Sequence, residues 1–159
     1  MLRFANPSFV LRFAARAVPI FGALAAILIA VGLYLVFFVA PADYQQGETV
    51  RIMYIHVPAA WLGLFAYMVM ASAGARHAAS GAIPLADAAQ KSAAPLGAMF
   101  TFVCLVTGSL WGKPMWGTYW VWDARLTSML VLLLIYLGAD RAVEHDRGAA
   151  TRRARPPPS

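Results

Sequence analysis

The stretch "VPIFGALAAILIAVGLYLVFFVA", residues 18–40, contains no charged side chain. A helix needs about 20 apolar residues to cross a hydrocarbon core of about 30 Å. Because water is absent from that core, the backbone must satisfy its own hydrogen bonds, and a helix is the expected conformation. The stretch is too long for the apolar region of a signal peptide, and "FFVAPADY" (37–44) offers only a weak cleavage site. We therefore predict a retained transmembrane helix over 18–40.

Three further stretches of low charge reach a similar length, at 52–74, 92–111 and 121–139. Of the 159 residues, 61% are hydrophobic and 13% are charged, against about 45–50% and about 25% in typical soluble domains. This composition is typical of a membrane protein. The predicted fold is that of an all-α integral membrane protein with four transmembrane helices.

The distribution of basic residues predicts the orientation of these helices. Of the 13 lysines and arginines, ten would lie on one side of the membrane and three (Arg51, Lys113 and Arg125) on the other. Since cytoplasmic segments carry the excess of basic residues, we predict that both termini are cytoplasmic. This distribution explains the net charge of +6 better than a nucleic-acid partner does.

The predicted organisation has three parts. Residues 1–17 form a cytoplasmic N-terminal segment, and residues 18–139 form the membrane domain. The tail at 140–159 is polar, rich in arginine and ends in three prolines before Ser159. Such a composition cannot bury a core, so the tail is predicted to be disordered.

The predicted outer loop "WGKPMWGTYWVWD", residues 111–123, holds four of the chain's five tryptophans. Tryptophan is enriched at membrane interfaces, so a passive aromatic belt is one interpretation. A platform for a flat apolar ligand is the other, since aromatic faces stack over a large area. Gly112 and Gly117 would let such a ligand approach the backbone. Lys113 and Arg125 could pair with its carboxylates, although solvation at the membrane edge is the simpler interpretation.

His56, in "YIHVPAAW" (54–61), lies one turn into the second predicted helix. Ionisable groups within a membrane are functional candidates, and neutral imidazole is a frequent ligand of haem iron. A histidine hydrogen-bonded at the interface is the alternative. Asp123 is suited to cap the N-terminus of the fourth helix, a role that requires no ligand.

Several other chemistries find no support in the sequence. The single Cys104 lies in an apolar stretch, and no CxxCH haem-attachment motif occurs. The sequence also contains no GxxxxGK[ST] phosphate loop, no zinc-ligand spacing and no hydrolytic triad. We therefore predict that the chain is not an enzyme.

With these residues in view, the sequence resembles the haem exporter protein C family of the cytochrome c maturation system. This family belongs to the haem-handling proteins with a tryptophan-rich WWD segment. The matching stretches follow the family order over most of residues 40–138. They are "APADYQQG" (40–47), "YIHVPAAW" (54–61), "APLGAMFTF" (94–102) and "LVTGSLWGKPMWGTYWVWDARLTS" (105–128).

The resemblance implies a multi-pass protein of the bacterial inner membrane that binds haem b non-covalently at the periplasmic face. It implies ABC transporter subunits, a small membrane subunit and a periplasmic haem chaperone as partners in the lipid bilayer or beside it. His56 matches an axial ligand of the haem iron. The matching haem platform consists of Trp111, Gly112, Trp116, Gly117, Trp120, Trp122 and Asp123, with Tyr119 where the family usually has tryptophan. Lys113 and Arg125 are candidates for contacts to the haem propionates.

The family pattern continues into two further helices and a second axial histidine. Here the charged tail follows instead, and His145 lies on the predicted cytoplasmic side. The resemblance therefore implies a C-terminally truncated form. Two alternatives to haem delivery stay open, an interaction subunit that binds no haem and an inactive truncated product. A haem lyase is disfavoured because the chain has no outward-facing cysteine.

Overall fold

The structure, a computed structural model, describes residues 7–80 and 84–154. The regular elements in these ranges are helical, as predicted. They are α1 (Pro7–Tyr34), a π-helical turn (Leu35–Val39), α2 (Val50–Ser80), α3 (Pro84–Trp116) and α4 (Ala124–Ala154). Three of the described segments are long and apolar enough to cross a membrane, namely Ser8–Val39, Val50–Arg76 and Leu85–Trp116. The apolar part of α4, Ala124–Ala139, is shorter.

The helices extend beyond the predicted spans. Both α1 and α3 begin at a proline, Pro7 and Pro84. Proline suits the first position of a helix for two reasons. Its φ is already helical, and an N–H at that position would make no hydrogen bond within the helix. α1 therefore includes most of the segment 1–17 that was predicted to precede the helix. Residues 1–6 lie outside the described part of the chain.

The predicted outer loop over 111–123 is wrong in its first half, because α3 continues through Trp116. Pro114 lies in the last turn of this helix, where its missing N–H removes one backbone hydrogen bond. The helix ends at Gly117, which has a φ of +78°, a conformation that favours glycine. The Gly117 N–H donates to the carbonyl oxygen of Lys113 at 3.0 Å and so closes the last turn.

The disordered tail predicted for 140–159 is wrong for residues 140–154, which continue α4 as far as Ala154. Alanine and arginine, which have high helix propensity, make up eight of these 15 residues. Extending an existing helix also costs less than nucleating a new one. The remaining tail residues, 155–159, lie outside the described ranges.

The chain divides into two compact units, one ending at Arg51 and the other beginning at Ile52. In the first unit, the Arg51 guanidinium donates to the carbonyl oxygens of Phe37 at 2.6 Å and Ala40 at 3.4 Å. Glu48 pairs with the same guanidinium at 2.8 Å. Carbonyls at a helix end have no helical partner, so Arg51 satisfies them and fixes the connection that follows the π-helical turn.

In the second unit, α2 and α3 run antiparallel and touch at intervals of seven residues. His56 lies against Gly108, where an added Cβ would be 3.0 Å from the histidine Cε1 atom. Two turns further along α2, Gly63 lies against Thr101, whose hydroxyl oxygen would be 2.9 Å from an added Cβ. A seven-residue repeat keeps two helices in contact along one seam. The glycines let the two backbones approach closely.

α4 completes this unit through Tyr136, which is fully buried. The Tyr136 hydroxyl donates to the carbonyl oxygen of Gly63 at 2.6 Å, and its ring occupies the space beside Gly97. Tyr136 belongs to a buried core together with Met70, Ala93, Ala94 and Leu132. Since lipid is as apolar as this core, close packing and hydrogen bonds hold such helices together in a membrane.

Gly97→Ala is expected to destabilise the second unit, because the added methyl group would overlap with the Tyr136 ring. Overpacking of this kind costs about 1–3 kcal/mol. Thermal unfolding followed by circular dichroism at 222 nm in detergent measures the effect. Gly138→Ala is the matched control, since nothing lies within 4 Å of a Cβ added there. Equal unfolding midpoints for the two variants would contradict the packing described.

Candidate functional site

A cavity of about 350 Å³ lies between α2, α3 and α4. Its volume is at the small end of the range for ligand pockets, about 300–1,000 Å³. Apolar and aromatic side chains form most of its wall, together with one imidazole and one guanidinium. The lining residues are Met53, His56, Ala60, Cys104, Leu105, Gly108, Trp111, Trp116, Arg125, Leu126 and Met129. The cavity therefore brings together His56, Trp111, Trp116 and Arg125 of the predicted site.

His56 is held against α3 through its Nδ1 atom. This atom lies 3.0 Å from the carbonyl oxygen of Cys104 and 3.1 Å from Thr107 Oγ1. The Nε2 atom lies 4.0 Å from the Cys104 sulfur, which is a weak hydrogen-bond partner. Among the described residues, no three histidine, cysteine or acidic side chains converge as a metal site would require. What His56 offers is a single oriented nitrogen, which suits a metal that arrives within a cofactor.

Trp111 and Trp116 form an aromatic wall on the α3 side of the cavity. Their ring centroids are 5.1 Å apart and their planes meet at 88°, the edge-to-face arrangement that aromatic pairs favour. The Arg125 guanidinium lies 5.3 Å from the centroid of the Trp116 ring, within the range of a cation–π contact. Trp116 reaches the cavity because α3 continues past Trp111.

Arg125 is also paired with Asp123. Its Nη2 and Nε atoms donate to one carboxylate oxygen at 2.9 and 3.1 Å. The other carboxylate oxygen accepts a hydrogen bond from the Leu126 N–H at 2.8 Å, which confirms Asp123 as the N-cap of α4. The bond from Leu126 is the main reason why the pKa of Asp123 lies below its ordinary value, and Arg125 lowers it further. Asp123 is therefore an anion at neutral pH and competes with anionic ligands for Arg125.

The aromatic residues after α3 lie outside the cavity lining. Trp120 and Trp122 contact each other, with ring centroids 5.4 Å apart. Trp122 is 77% exposed and Tyr119 is 56% exposed. The Trp120 Nε1 atom is buried and has no hydrogen-bond partner within the described ranges. The tryptophan-rich segment is thus divided between a wall of the cavity and an exposed edge.

The remaining predicted site residues have structural contacts. Lys113 donates to the carbonyl oxygen of Gly117 at 3.0 Å and lies 5.3 Å from the Tyr119 ring centroid. Gly112 is buried, and a Cβ there would be 3.3 Å from both the Thr118 carbonyl oxygen and the Trp116 ring. Gly112 thus gives Trp116 room to pack against α3, while Gly117 ends that helix.

The sequence interpretation missed Thr107, which contacts His56. It also missed Met53, Cys104 and Met129, which line the cavity. Residues 104, 108 and 111 have the spacing of one helix face, so Cys104 lies on the same face as Trp111. This spacing is the signal that could have identified Cys104. Met53 and Met129 carry no such signal. Their place in the cavity depends on how α2 and α4 pack against α3.

The chain is similar to known proteins over most of its length. A family model described as Heme exporter protein C matches residues 1–154. Heme exporter protein C of Bradyrhizobium diazoefficiens is 54% identical over 97% of this chain and 59% of its own length. The Escherichia coli K12 protein of the same name is 54% identical over 70% of this chain and 45% of its own length. A putative cytochrome c biosynthesis ccmC-like mitochondrial protein of Marchantia polymorpha is 51% identical over 78% of this chain and 54% of its own length.

The chain spans about half the length of these relatives. The family match includes every residue that lines the cavity. The relatives and the apolar helices together indicate a multi-pass membrane protein. The chain belongs to the Heme exporter protein C family.

Proposed function

We propose that this chain holds haem as cargo in the cavity beside His56, in the haem export step of cytochrome c maturation. The observation that carries the proposal is that three helices contribute an imidazole, an indole wall and a guanidinium to one cavity. These groups match the needs of haem, which are an axial ligand, contact for the macrocycle and a cation for a propionate. When bound, haem would supply the iron, and His56 would hold it through its imidazole.

Each predicted residue receives a role in this proposal. His56 ligates the iron, Trp111 and Trp116 contact the macrocycle, and Arg125 binds a propionate. A cavity of about 350 Å³ covers only part of a macrocycle. We assign contacts with the remaining part to Tyr119, Trp120 and Trp122. The residues that shape this surface are Gly112, Gly117 and Asp123, and Lys113 is a second candidate for a propionate.

The proposed ligand is haem b, held without a covalent bond. Covalent attachment in c-type cytochromes uses a CxxCH motif, whereas this chain has the single Cys104. A non-covalent hold also suits a molecule that is passed on. The matched names describe an exporter rather than an enzyme, in agreement with the sequence prediction. In this role the cavity residues bind and orient haem and carry out no reaction.

The cavity is proposed to face the periplasm from the bacterial inner membrane. The distribution of lysine and arginine supports this orientation, because the cavity end of α2, α3 and α4 is the end with few basic residues. The proposed partners are the ABC transporter subunits and small membrane subunit of the same system, and a periplasmic haem chaperone. Tyr119 and Trp122 are candidate contacts for the chaperone, since exposed aromatic side chains often anchor protein interfaces.

Haem delivery requires binding that is specific and reversible. The cavity groups are already oriented, His56 by α3 and Arg125 by Asp123 and Trp116, and such preorganisation lowers the cost of binding. When a propionate leaves, Asp123 can pair with Arg125 again. This renewed pairing favours release to an acceptor.

His56→Ala is expected to abolish the shift of the Soret band that follows titration of the detergent-purified protein with haemin. His77→Ala is the matched control, because it makes the same change in α2 roughly 30 Å further along the helix. Added imidazole should restore binding to the His56→Ala protein, since the free ligand replaces the missing side chain. A folded wild-type protein that binds no haemin would contradict the proposal and favour an interaction subunit that uses the exposed aromatic edge.

Arg125→Ala is expected to weaken haemin binding about fivefold, corresponding to about 1 kcal/mol for an exposed charge pair. Lys113→Ala should have a smaller effect, because Lys113 does not line the cavity. Titration with haem dimethyl ester tests the cause, since this ligand has no propionate carboxylates. If Arg125→Ala weakened haemin and the ester equally, a propionate contact would be excluded.

A further inference from the structure

We infer that Thr107 is a positioning residue for His56, which selects the tautomer that leaves Nε2 free to bind iron. The inference deepens the proposed function and rests on it where haem affinity is concerned. Its structural part, the protonation of one ring nitrogen, can be tested without haem. Thr107 itself is not among the residues that line the cavity.

The hydrogen bonds of Thr107 determine what it can offer to His56. Its hydroxyl lies 2.6 Å from the carbonyl oxygen of Val103 and 3.2 Å from that of Cys104. A hydroxyl has one proton to donate, and both of these partners are acceptors. Towards His56 Nδ1, at 3.1 Å, the hydroxyl oxygen is therefore an acceptor. The carbonyl oxygen of Cys104, at 3.0 Å from the same nitrogen, is an acceptor by its chemistry.

Two acceptors facing Nδ1 require a proton on that nitrogen. Neutral imidazole carries one ring proton, so the lone pair is on Nε2. In the opposite tautomer, the Nδ1 lone pair would face two oxygen lone pairs. The nearby polar atom at Nε2 is the Cys104 sulfur at 4.0 Å, which is a weak donor. The α3 surface therefore selects the tautomer that a metal-ligating histidine needs.

Gly108 provides the space for this contact. A Cβ at this position would lie 3.0 Å from the His56 Cε1 atom, closer than side chains normally pack. Without that methyl group the ring approaches α3 closely enough for Nδ1 to reach both acceptors. Thr107 and Gly108 thus act together, one as the hydrogen-bond partner and the other as the opening beside it.

The tautomer is measured by long-range ¹H–¹⁵N correlation spectra of the haem-free protein labelled with ¹⁵N-histidine. The chain has three histidines, and the His56 signals are those missing from the His56→Ala protein. We expect a protonated Nδ1 in the wild type. Thr107→Val keeps the shape and loses the hydroxyl, so the Cys104 carbonyl alone accepts from Nδ1 and the share of the opposite tautomer should rise. Thr107→Ser keeps the hydroxyl and should retain the wild-type tautomer.

Haemin titration of the same proteins gives the second readout. Loss of a residue that orients a metal ligand typically costs 10- to 100-fold in affinity. The Cys104 carbonyl remains in Thr107→Val, so a loss of about tenfold is expected, with near wild-type affinity in Thr107→Ser. Should Thr107→Val fail to fold, Gly108→Ala tests the same contact by displacing the ring.

The outcomes separate this inference from the proposed function. Wild-type tautomer and affinity in Thr107→Val would overturn the inference and leave haem binding by His56 intact. A wild type that binds no haemin would overturn the proposed function. In that case, a change of tautomer in Thr107→Val but not in Thr107→Ser would still establish the positioning role.

Discussion

The close antiparallel contact between α2 and α3 is the constraint on which the candidate site depends. Two glycines make it possible, Gly63 against Thr101 and Gly108 against His56. The contacts are seven residues apart on both helices, so the contact that packs the helix centres also fixes the register of the histidine. Tyr136 joins α4 to the same place through its bond to Gly63. Gly63 lies about 10 Å from His56 along α2, at about 1.5 Å per residue. The packing around Gly63 therefore sets the position of the imidazole.

Much of the fold could be predicted from the sequence, since spans of about 20 apolar residues need only be recognised by length and polarity. Helix ends were harder to predict. The tryptophan-rich segment reads as a loop because it contains two glycines and a proline, yet α3 continues to Trp116 and ends where Gly117 adopts a positive φ. The tail reads as disordered from its charge, whereas α4 extends through it.

The site was predictable only in part, and the reason is physical. Residue type indicates His56 and the tryptophans, because imidazole ligates iron and indoles contact flat ligands. Which of these residues share a cavity depends on the register of α2 against α3 and on the end of α3. Trp116 therefore lines the cavity, while Trp122 remains exposed. On the proposed function, Trp116 contacts haem inside the cavity, while Trp122 contacts the part of the macrocycle outside it and is also accessible to an acceptor.

The central claim, that His56 ligates haem iron, is tested most directly by resonance Raman spectroscopy of the reduced haem complex. The account predicts an iron–histidine stretching band that shifts to lower frequency when the protein is labelled with ¹⁵N-histidine. The band should be absent from His56→Ala and present in His77→Ala. A complex without a histidine-sensitive band, or one whose band survives in His56→Ala, would contradict the account.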